Sequence, residues 1–408
     1  MSIHGYNSNG EWQNKVTDCL SDQGLTSIPY NYGRKIFRIL PHHIKNDVQA
    51  FRDWYFEKIN NPTYGIKKLE PFHRPSIMAH SLGTWILAKA LTKYPEIKFD
   101  KIFLFGSIIP SNFDWFKLIL GDQVNSVIYE KANKDKIVPL GLLFTGSIKP
   151  CGTKGFVQKS TFIKEEVYPL FGHSDFNYQA HITRILEKHL FSTPHQLSVI
   201  HGRNLSQKEI TKYFKDTSKI DYLTYPEEYH NSPLTLDNAI NWFKIEKDIW
   251  SFIKNIYNNS TIGYINAVPV DDNVYDKFCS GEISETDLKA SDILDYDNCI
   301  TYNLLVLSIA IKKSQLKEDT TLNKGRIAEM LIMSFIYKIN LHNNKSRKLK
   351  KIAAFAWTDE GMKLCNGFCM TKKDGEFSIK PLYEIDLTNS KNINTNGANF
   401  MSKWWYKN

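Results

Sequence analysis

The chain has 408 residues, 42% hydrophobic and 23% charged. That is material for two or three domains with a core each, and it excludes a disordered, collagenous or fibrous chain. Lys plus Arg outnumber Asp plus Glu by 52 to 43, a mild net charge of +9. No zinc-finger, helix-turn-helix or RNA-binding signature accompanies this excess, so nucleic acid is not an expected partner. The densest basic run (Lys345, Arg347, Lys348, Lys350, Lys351) reads as a solvated loop or helix end, with an anionic partner such as a cofactor phosphate as the alternative. No stretch of about 18 apolar residues suggests a transmembrane segment, and no basic-then-apolar leader follows Met1. The cysteines (Cys19, Cys151, Cys279, Cys299, Cys365, Cys369) lack CxxC spacing. A zinc site and a disulfide framework are therefore not expected, no metal is predicted, and a reduced, cytoplasmic chain is the expectation.

In chain order, Ile36–Leu40, Ser76–Ala79, Lys101–Phe105 and Val124–Tyr129 read as short buried strands. Asn46–Lys58, Leu82–Thr92 and Asn177–Leu190 read as helices between them. Strands alternating with helices predict a mostly parallel sheet covered on both faces. Phe191–Leu205 reads as a linker, rich in Ser, Thr, Pro and Gly signals. Beyond it, Ser206–Phe214 and Leu236–Lys244 read as helical, and Gly263–Val270, Asn303–Ile311, Lys351–Trp357 and Phe377–Leu387 as strands. Arg326–Ile339 has apolar residues at a period of about 3.6 and predicts a helix. The expected division is a domain at 1–190, a linker and helical connection at 191–234, a second mixed α/β domain at 235–390 and an irregular tail at 391–408.

The sharpest motif is Ser76-Ile77-Met78-Ala79-His80-Ser81-Leu82-Gly83-Thr84, an apolar run entering a small-x-Ser-x-Gly turn with an amphipathic helix behind it. Small residues flank the serine because strand must turn sharply into helix, which leaves the hydroxyl exposed at a positive helix end. A serine hydroxyl needs a base, and the base needs an orienting acid. Here the sequence resembles the α/β-hydrolase family over about residues 1–190, with Ala79 where glycine is commonest. The resemblance implies that Ser81 is the nucleophile. It places the acid in Val127–Pro139, where the strand and the Asp-x-x-Val-Pro loop mark Asp135, with Glu130 as the fallback. It places the base at His173 in Phe171-Gly172-His173-Ser174-Asp175-Phe176, where Ser174 and Asp175 are candidate caps for the final helix. It assigns the oxyanion hole to the backbone N–H groups of Leu82 and of Tyr6, the latter in the His4-Gly5-Tyr6 loop, where Gly5 lets the backbone approach the substrate. His4 is read as a loop support and His80 as structural. Only Met1–Ile3 precede that loop, so the first strand is either very short or truncated by the start of the chain.

Such an enzyme would cleave a carboxylic ester or thioester of a small-molecule acyl substrate through an acyl-serine intermediate, without a cofactor. Tyr30, Tyr32, Phe113, Trp115, Phe116 and Phe144 are candidates for the pocket wall or for the core. With no long apolar insertion between Gly106 and Asp135, a small or medium acyl group in an open cleft is expected.

From about residue 235 the order of elements resembles the GNAT N-acetyltransferase superfamily. Trp242 and Phe243 are read as preceding a long helix, Thr261–Val270 as the central hairpin strand, and Asn303–Ile311 as the strand before the cofactor loop. The resemblance implies that Lys324, Gly325 and Arg326 hold the pyrophosphate of acetyl-CoA at a helix start. The departures are Leu322 and Ile327 at the ends of the usual Gln/Arg-x-x-Gly-x-Gly/Ala string, and Lys363 near the place of the family's general-acid tyrosine. An acyl-CoA, a nucleotide or a protein is the expected ligand of this half. Two alternatives stand beside the hydrolase reading: a sensor or interaction protein on a non-catalytic hydrolase scaffold, and N-acetyl transfer as the main activity. The sequence does not give the oligomeric state.

Overall fold

The computed structural model describes residues 1–5, 10–32, 41–66, 74–138, 150–190, 197–225, 234–312, 324–343, 348–373 and 381–388. The chain divides into two compact units, Met1–Gln196 and Leu197–Asn408. Among the described residues, no helix is long and apolar enough to cross a membrane.

In the first unit, β1 (Ser2–Ile3), β2 (Pro29–Tyr30), β3 (Ile77–His80), β4 (Phe99–Phe105), β5 (Val124–Ala132) and β6 (Ile163–Tyr168) form one sheet in the order β2-β1-β3-β4-β5-β6. Every pairing is parallel. The hydrophobic runs explain this. Met78, Phe103 and Ile128 lie side by side in register and pack beneath the helices Glu11–Ser21 and Gln179–His189, while Ile77, Ile102 and Val127 on the opposite face are also fully buried. A sheet buried on both faces needs nearly continuous apolar strands. The helix Leu82–Lys93 is buried almost all round, as its Leu, Ile and Ala content requires. The chain runs from β1 outward to β2 and then back past β1 to β3, so the strand order reverses between β1 and β3. In open α/β sheets the crevice beyond the carboxyl ends of strands at such a reversal is where ligands bind.

In the second unit, β7 (Leu197–His201), β8 (Trp250–Asn255), β9 (Thr261–Val270), β10 (Thr301–Ile311), β11 (Lys348–Phe355), β12 (Thr371–Lys373) and β13 (Leu382–Asp386) form a mixed sheet, β12-β13-β11-β10-β9-β8-β7. Only β10 and β11 pair in parallel. The helices Gln207–Thr224, Leu236–Ile245 and Asp272–Cys279 bury their apolar faces on one side of it, around Trp250, Phe252 and Tyr264. The helix Lys324–His342 carries Ile327, Leu331, Phe335 and Ile339 into the opposite side. Its last turns also bury charge. Lys338 donates to the Asp248 carbonyl at 2.9 Å, and the Asp248 carboxylate meets His342 at 2.8 Å and Arg203 at 2.7 Å. Desolvation brings Lys338 down to about 8.

Several sequence expectations change here. The stretch read as a linker contains β7, whose Leu197 and Val199 are buried and pair with β8; the Ser and Pro signals overstated the break. Trp242 and Phe243 lie inside the helix Leu236–Ile245 and are followed by the strand β8, not by a long helix, because Glu246 leaves the helical conformation and takes the Asp248 N–H. The final helix of the first unit starts at Gln179, later than expected. Asp175 instead accepts the Gly172 N–H at 2.7 Å, which shapes the turn bearing His173. Ile36–Leu40 and 391–408 lie outside the described residues.

Candidate functional site

β3 ends at His80, and the next residue, Ser81, takes φ 51° and ψ −122° before the helix begins at Leu82. A positive φ is costly for serine, and the neighbouring packing holds it. The Ser81 N–H donates to the Phe105 carbonyl at 3.0 Å, and Thr84 Oγ1 donates back to the Ser81 carbonyl at 2.6 Å. The small residues of the motif now have reasons. Ala79 is fully buried between β1 and β4. A Cβ on Gly83 would stand 2.5 Å from the His4 carbonyl oxygen at the end of β1.

Three distant segments converge on this turn. Ser81 Oγ lies 3.0 Å from His173 Nε2, and His173 Nδ1 lies 2.8 Å from Asp135 Oδ2. Asp135 follows β5, and its other oxygen accepts the N–H groups of Ile137 and Val138, each at 2.9 Å. Burial pushes the Asp135 carboxyl up, but the hydrogen bond and charge of His173 and the two N–H donors outweigh it and hold the group below the usual carboxylate range. An ionised Asp135 requires His173 Nδ1 to carry the hydrogen, which leaves Nε2 free to accept from the Ser81 hydroxyl. The two loops are tied together where the Lys134 N–H donates to the Phe171 carbonyl at 3.2 Å.

His80 also takes part, as a prop. Its Nε2 donates to the His173 carbonyl at 3.2 Å, and its ring packs on His173 and Phe176 with centroids 4.7 and 4.5 Å apart. Desolvation, reinforced by His173, lowers it to about 3, so it stays neutral beside the base. Two glycines are also fixed by this site: Gly5, which the resemblance already placed in the oxyanion loop, and Gly106, to which the sequence reading gave no role. A Cβ on Gly5 would come 2.7 Å from Ser81 Cβ, and one on Gly106, where φ is +49°, would come 2.9 Å from His173 Nδ1 and Cε1. Their signal was position: each stands just past the carboxyl end of a strand in the sheet's middle.

Leu82 is the first residue of its helix, where a backbone N–H has no acceptor within the helix. Tyr6 lies outside the described residues. His4 is fully buried; Nδ1 bonds the Gly5 carbonyl at 2.8 Å, and Tyr32 stacks on the ring at 4.1 Å and donates to the His4 carbonyl at 2.8 Å. The fallback acid Glu130 is buried against His181 and takes no part. Of the pocket candidates, Trp115 and Phe116 are core, Phe113 packs on Trp115, and Tyr30 packs on Phe51 and Trp54. Phe144 lies outside the described residues. Among the described residues, no group of three or more His, Cys, Asp or Glu could hold a metal ion.

The second unit has a cavity of about 360 Å³ between β10, β11 and the starts of the helices Lys324–His342 and Asp359–Gly367. Register explains it. The parallel pairing of β10 with β11 ends at Val306 and Ala354, where β10 also bulges at Leu307 in its pairing with β9. Lys324 and Gly325 line the mouth, where Lys324 Nζ lies 3.3 Å from Glu360 Oε1; Arg326, one residue on, is not in the wall. The Ile309 carbonyl accepts the Tyr225 hydroxyl at 3.1 Å, and both residues line the cleft. The cleft is walled mostly by apolar residues, and the helix start bearing Lys324 lies at its mouth. Lys363, the stand-in for a general acid, is exposed on the helix Asp359–Gly367 and outside the cavity wall.

No protein-family model matches the chain, and no curated protein matches it. Among solved structures it is similar to an N-acetyltransferase from Staphylococcus aureus Mu50, at 16% identity and TM-score 0.29 over 47% of this chain and 99% of that one. It is similar to the PaiA N-acetyltransferase of Thermoplasma acidophilum in complex with coenzyme A, at 10% identity and TM-score 0.30 over 47% and 99%. It is likewise similar to a protein of unknown function from Agrobacterium tumefaciens, described as an α/β hydrolase, at 16% identity and TM-score 0.29 over 46% and 83%.

Proposed function

We propose that the first unit is a serine hydrolase that cleaves a carboxylic ester or thioester through an acyl-Ser81 intermediate. The observation that carries this reading is the unbroken hydrogen-bonded line from Ser81 Oγ through His173 to Asp135, beyond the carboxyl ends of a parallel sheet at its order reversal. His173 Nε2 takes the hydroxyl proton as Ser81 Oγ adds to the substrate carbonyl. Asp135 keeps the imidazole in the tautomer that can accept and stabilises the imidazolium that forms. The oxyanion is met by the Leu82 N–H and, on this reading, by the N–H of Tyr6. His173 then protonates the departing alcohol or thiol, and a water activated by the same nitrogen releases the acid and restores Ser81. The test is labelling with a fluorophosphonate probe: the wild type labels and Ser81→Ala does not. An inert wild type, or a variant that still labels, ends this reading.

A second reading concerns the other unit. We infer that its cavity binds an acyl-CoA, with Lys324 and Gly325 facing the diphosphate and β10 and β11 taking the pantetheine arm. Bound there, the group would supply an activated acyl thioester. Calorimetry with coenzyme A, with Gly325→Asp as control, tests it: heat in the wild type alone supports the site, and no heat in either removes it.

A further inference from the structure

We propose that the cavity of the second unit takes an acyl chain longer than acetyl, whose end lies in an adjoining apolar chamber beside Phe335 of the helix Lys324–His342. This deepens the acyl-CoA reading and rests on it for the carrier alone.

A second chamber of about 40 Å³ adjoins the main cavity of about 360 Å³. The two share five wall residues, Ala354 and Cys365 among them. The smaller chamber is lined in addition by Phe335, Phe368 and Met370, with the two phenylalanine rings edge to face at 5.9 Å. The polarity runs one way. The mouth carries Lys324, Thr358 and Glu360, whereas the wall of the deeper chamber is apolar throughout. A water in that chamber would find none of the two to four polar partners it needs, so the space stays dry or takes hydrocarbon. A polar mouth over a hydrocarbon floor is the polarity of an amphiphile with its chain inward. Close packing normally leaves few voids of this size. Here the pairing of β10 with β11 ends beside the space, and Ala328, Ala354 and Ala356 leave it open.

Calorimetry on the whole chain with coenzyme A, acetyl-, butanoyl- and hexanoyl-CoA, and free octanoate tests the proposal. Each added methylene beyond acetyl should tighten Kd about fourfold until the floor is reached, the factor that burial of one CH2 gives. Ala354→Leu fills the wall that the two chambers share and should abolish this dependence. Cys365→Leu fills the same wall from the helix side and serves if a melting curve shows that Ala354→Leu is unfolded. Equal Kd at all chain lengths, or a chain-length dependence that survives in both variants, overturns the proposal and leaves the acyl-CoA reading intact. Failure of every CoA species removes the carrier reading instead, and octanoate then decides. Uptake blocked by Ala354→Leu keeps the chamber as a site for a free acyl chain, and no uptake overturns it.

Discussion

The two units place their candidate sites by the same device and fill them differently. In the first, the strand order reverses between β1 and β3, and the opening beyond the strand ends gathers side chains that can exchange protons. In the second, the pairing of β10 with β11 ends at Val306 and Ala354, and the opening there gathers apolar walls with one charged pair at the rim. A site of the first kind depends on a few atoms at fixed distances. A site of the second kind depends on volume, so any one wall residue carries a small share. Substitutions should therefore have large effects in the first unit and graded ones in the second.

The largest effect that separates the units after Ser81→Ala belongs to Asp135→Asn. The amide can donate to His173 Nδ1 and stabilise the wrong tautomer, so kcat for a nitrophenyl ester should fall about 10⁴-fold with the fold intact. Asp135 has a second signature. Its folded value lies below the usual carboxylate range, so its stabilisation is complete above that range and is lost as pH falls through the lowered value. Acid melting curves should thus be shallower at the low end in Asp135→Asn than in the wild type. Next comes Gly5→Ala, whose Cβ would press on Ser81 Cβ. Displacing the nucleophile or its loop by a few tenths of an ångström should cost kcat about 10²-fold and leave KM little changed. A Gly5→Ala enzyme with wild-type kcat would break the claim that the first site is set by exact distances.

His80→Gln should act chiefly through pH. In the fold His80 stays neutral down to about 3, whereas in the unfolded chain it gains a proton near the usual value of 6.5. Stability is therefore unaffected above 6.5 and drains away as pH falls from there toward 3, by on the order of a few kcal/mol. Glutamine can still donate to the His173 carbonyl but carries no titrating nitrogen. At pH 7.5 kcat should change less than about tenfold, and denaturant unfolding at pH 5 should show a gain relative to the wild type. An unchanged acid slope would move the burden to other buried histidines, His201 in the second unit first.

The difference between the units also governs what the sequence discloses. Ser81, Asp135 and His173 were legible because each sits in a local string with its own geometric demand: a sharp turn, a loop after a strand, a turn before the last helix. Their meeting was expected through the family resemblance alone, since it depends on the register of β3, β4 and β5 and on contacts such as Lys134 to Phe171. Gly106 was missed as a constraint, and Gly5 was read only as letting the backbone near the substrate, because only the partner across the gap shows why a Cβ is excluded. In the second unit the strands Thr261–Val270 and Asn303–Ile311 were legible as long apolar runs. β8 was missed because Trp250 and Phe252 also suit a helix, and β7 because the turn signals before it dominated. Of the cavity, only Lys324 and Gly325 at its mouth stood in a string that could be read; its walls left none. Ala354 and Cys365 look like any core residues until the pairing of β10 with β11 is seen to end.

The smallest effect, at the rim of the second cavity, tests whether that site is electrostatic at its mouth. Lys324 and Glu360 are both well exposed, so their pair contributes little to stability, and neither Lys324→Ala nor Glu360→Gln should shift unfolding by more than about 1 kcal/mol. Their effects on coenzyme A should be opposite in sign. Removing Lys324 takes a cation from beside the diphosphate and should weaken binding about fivefold at low salt. Removing the Glu360 charge takes away a competitor for Lys324 and should strengthen binding by a similar factor. Both effects should shrink as ionic strength rises above 0.15 M, where the screening length is about 8 Å. Two variants that shift Kd in the same direction, or equally at high and low salt, would mean that the rim acts by shape and that the second site holds its ligand through the cavity wall alone.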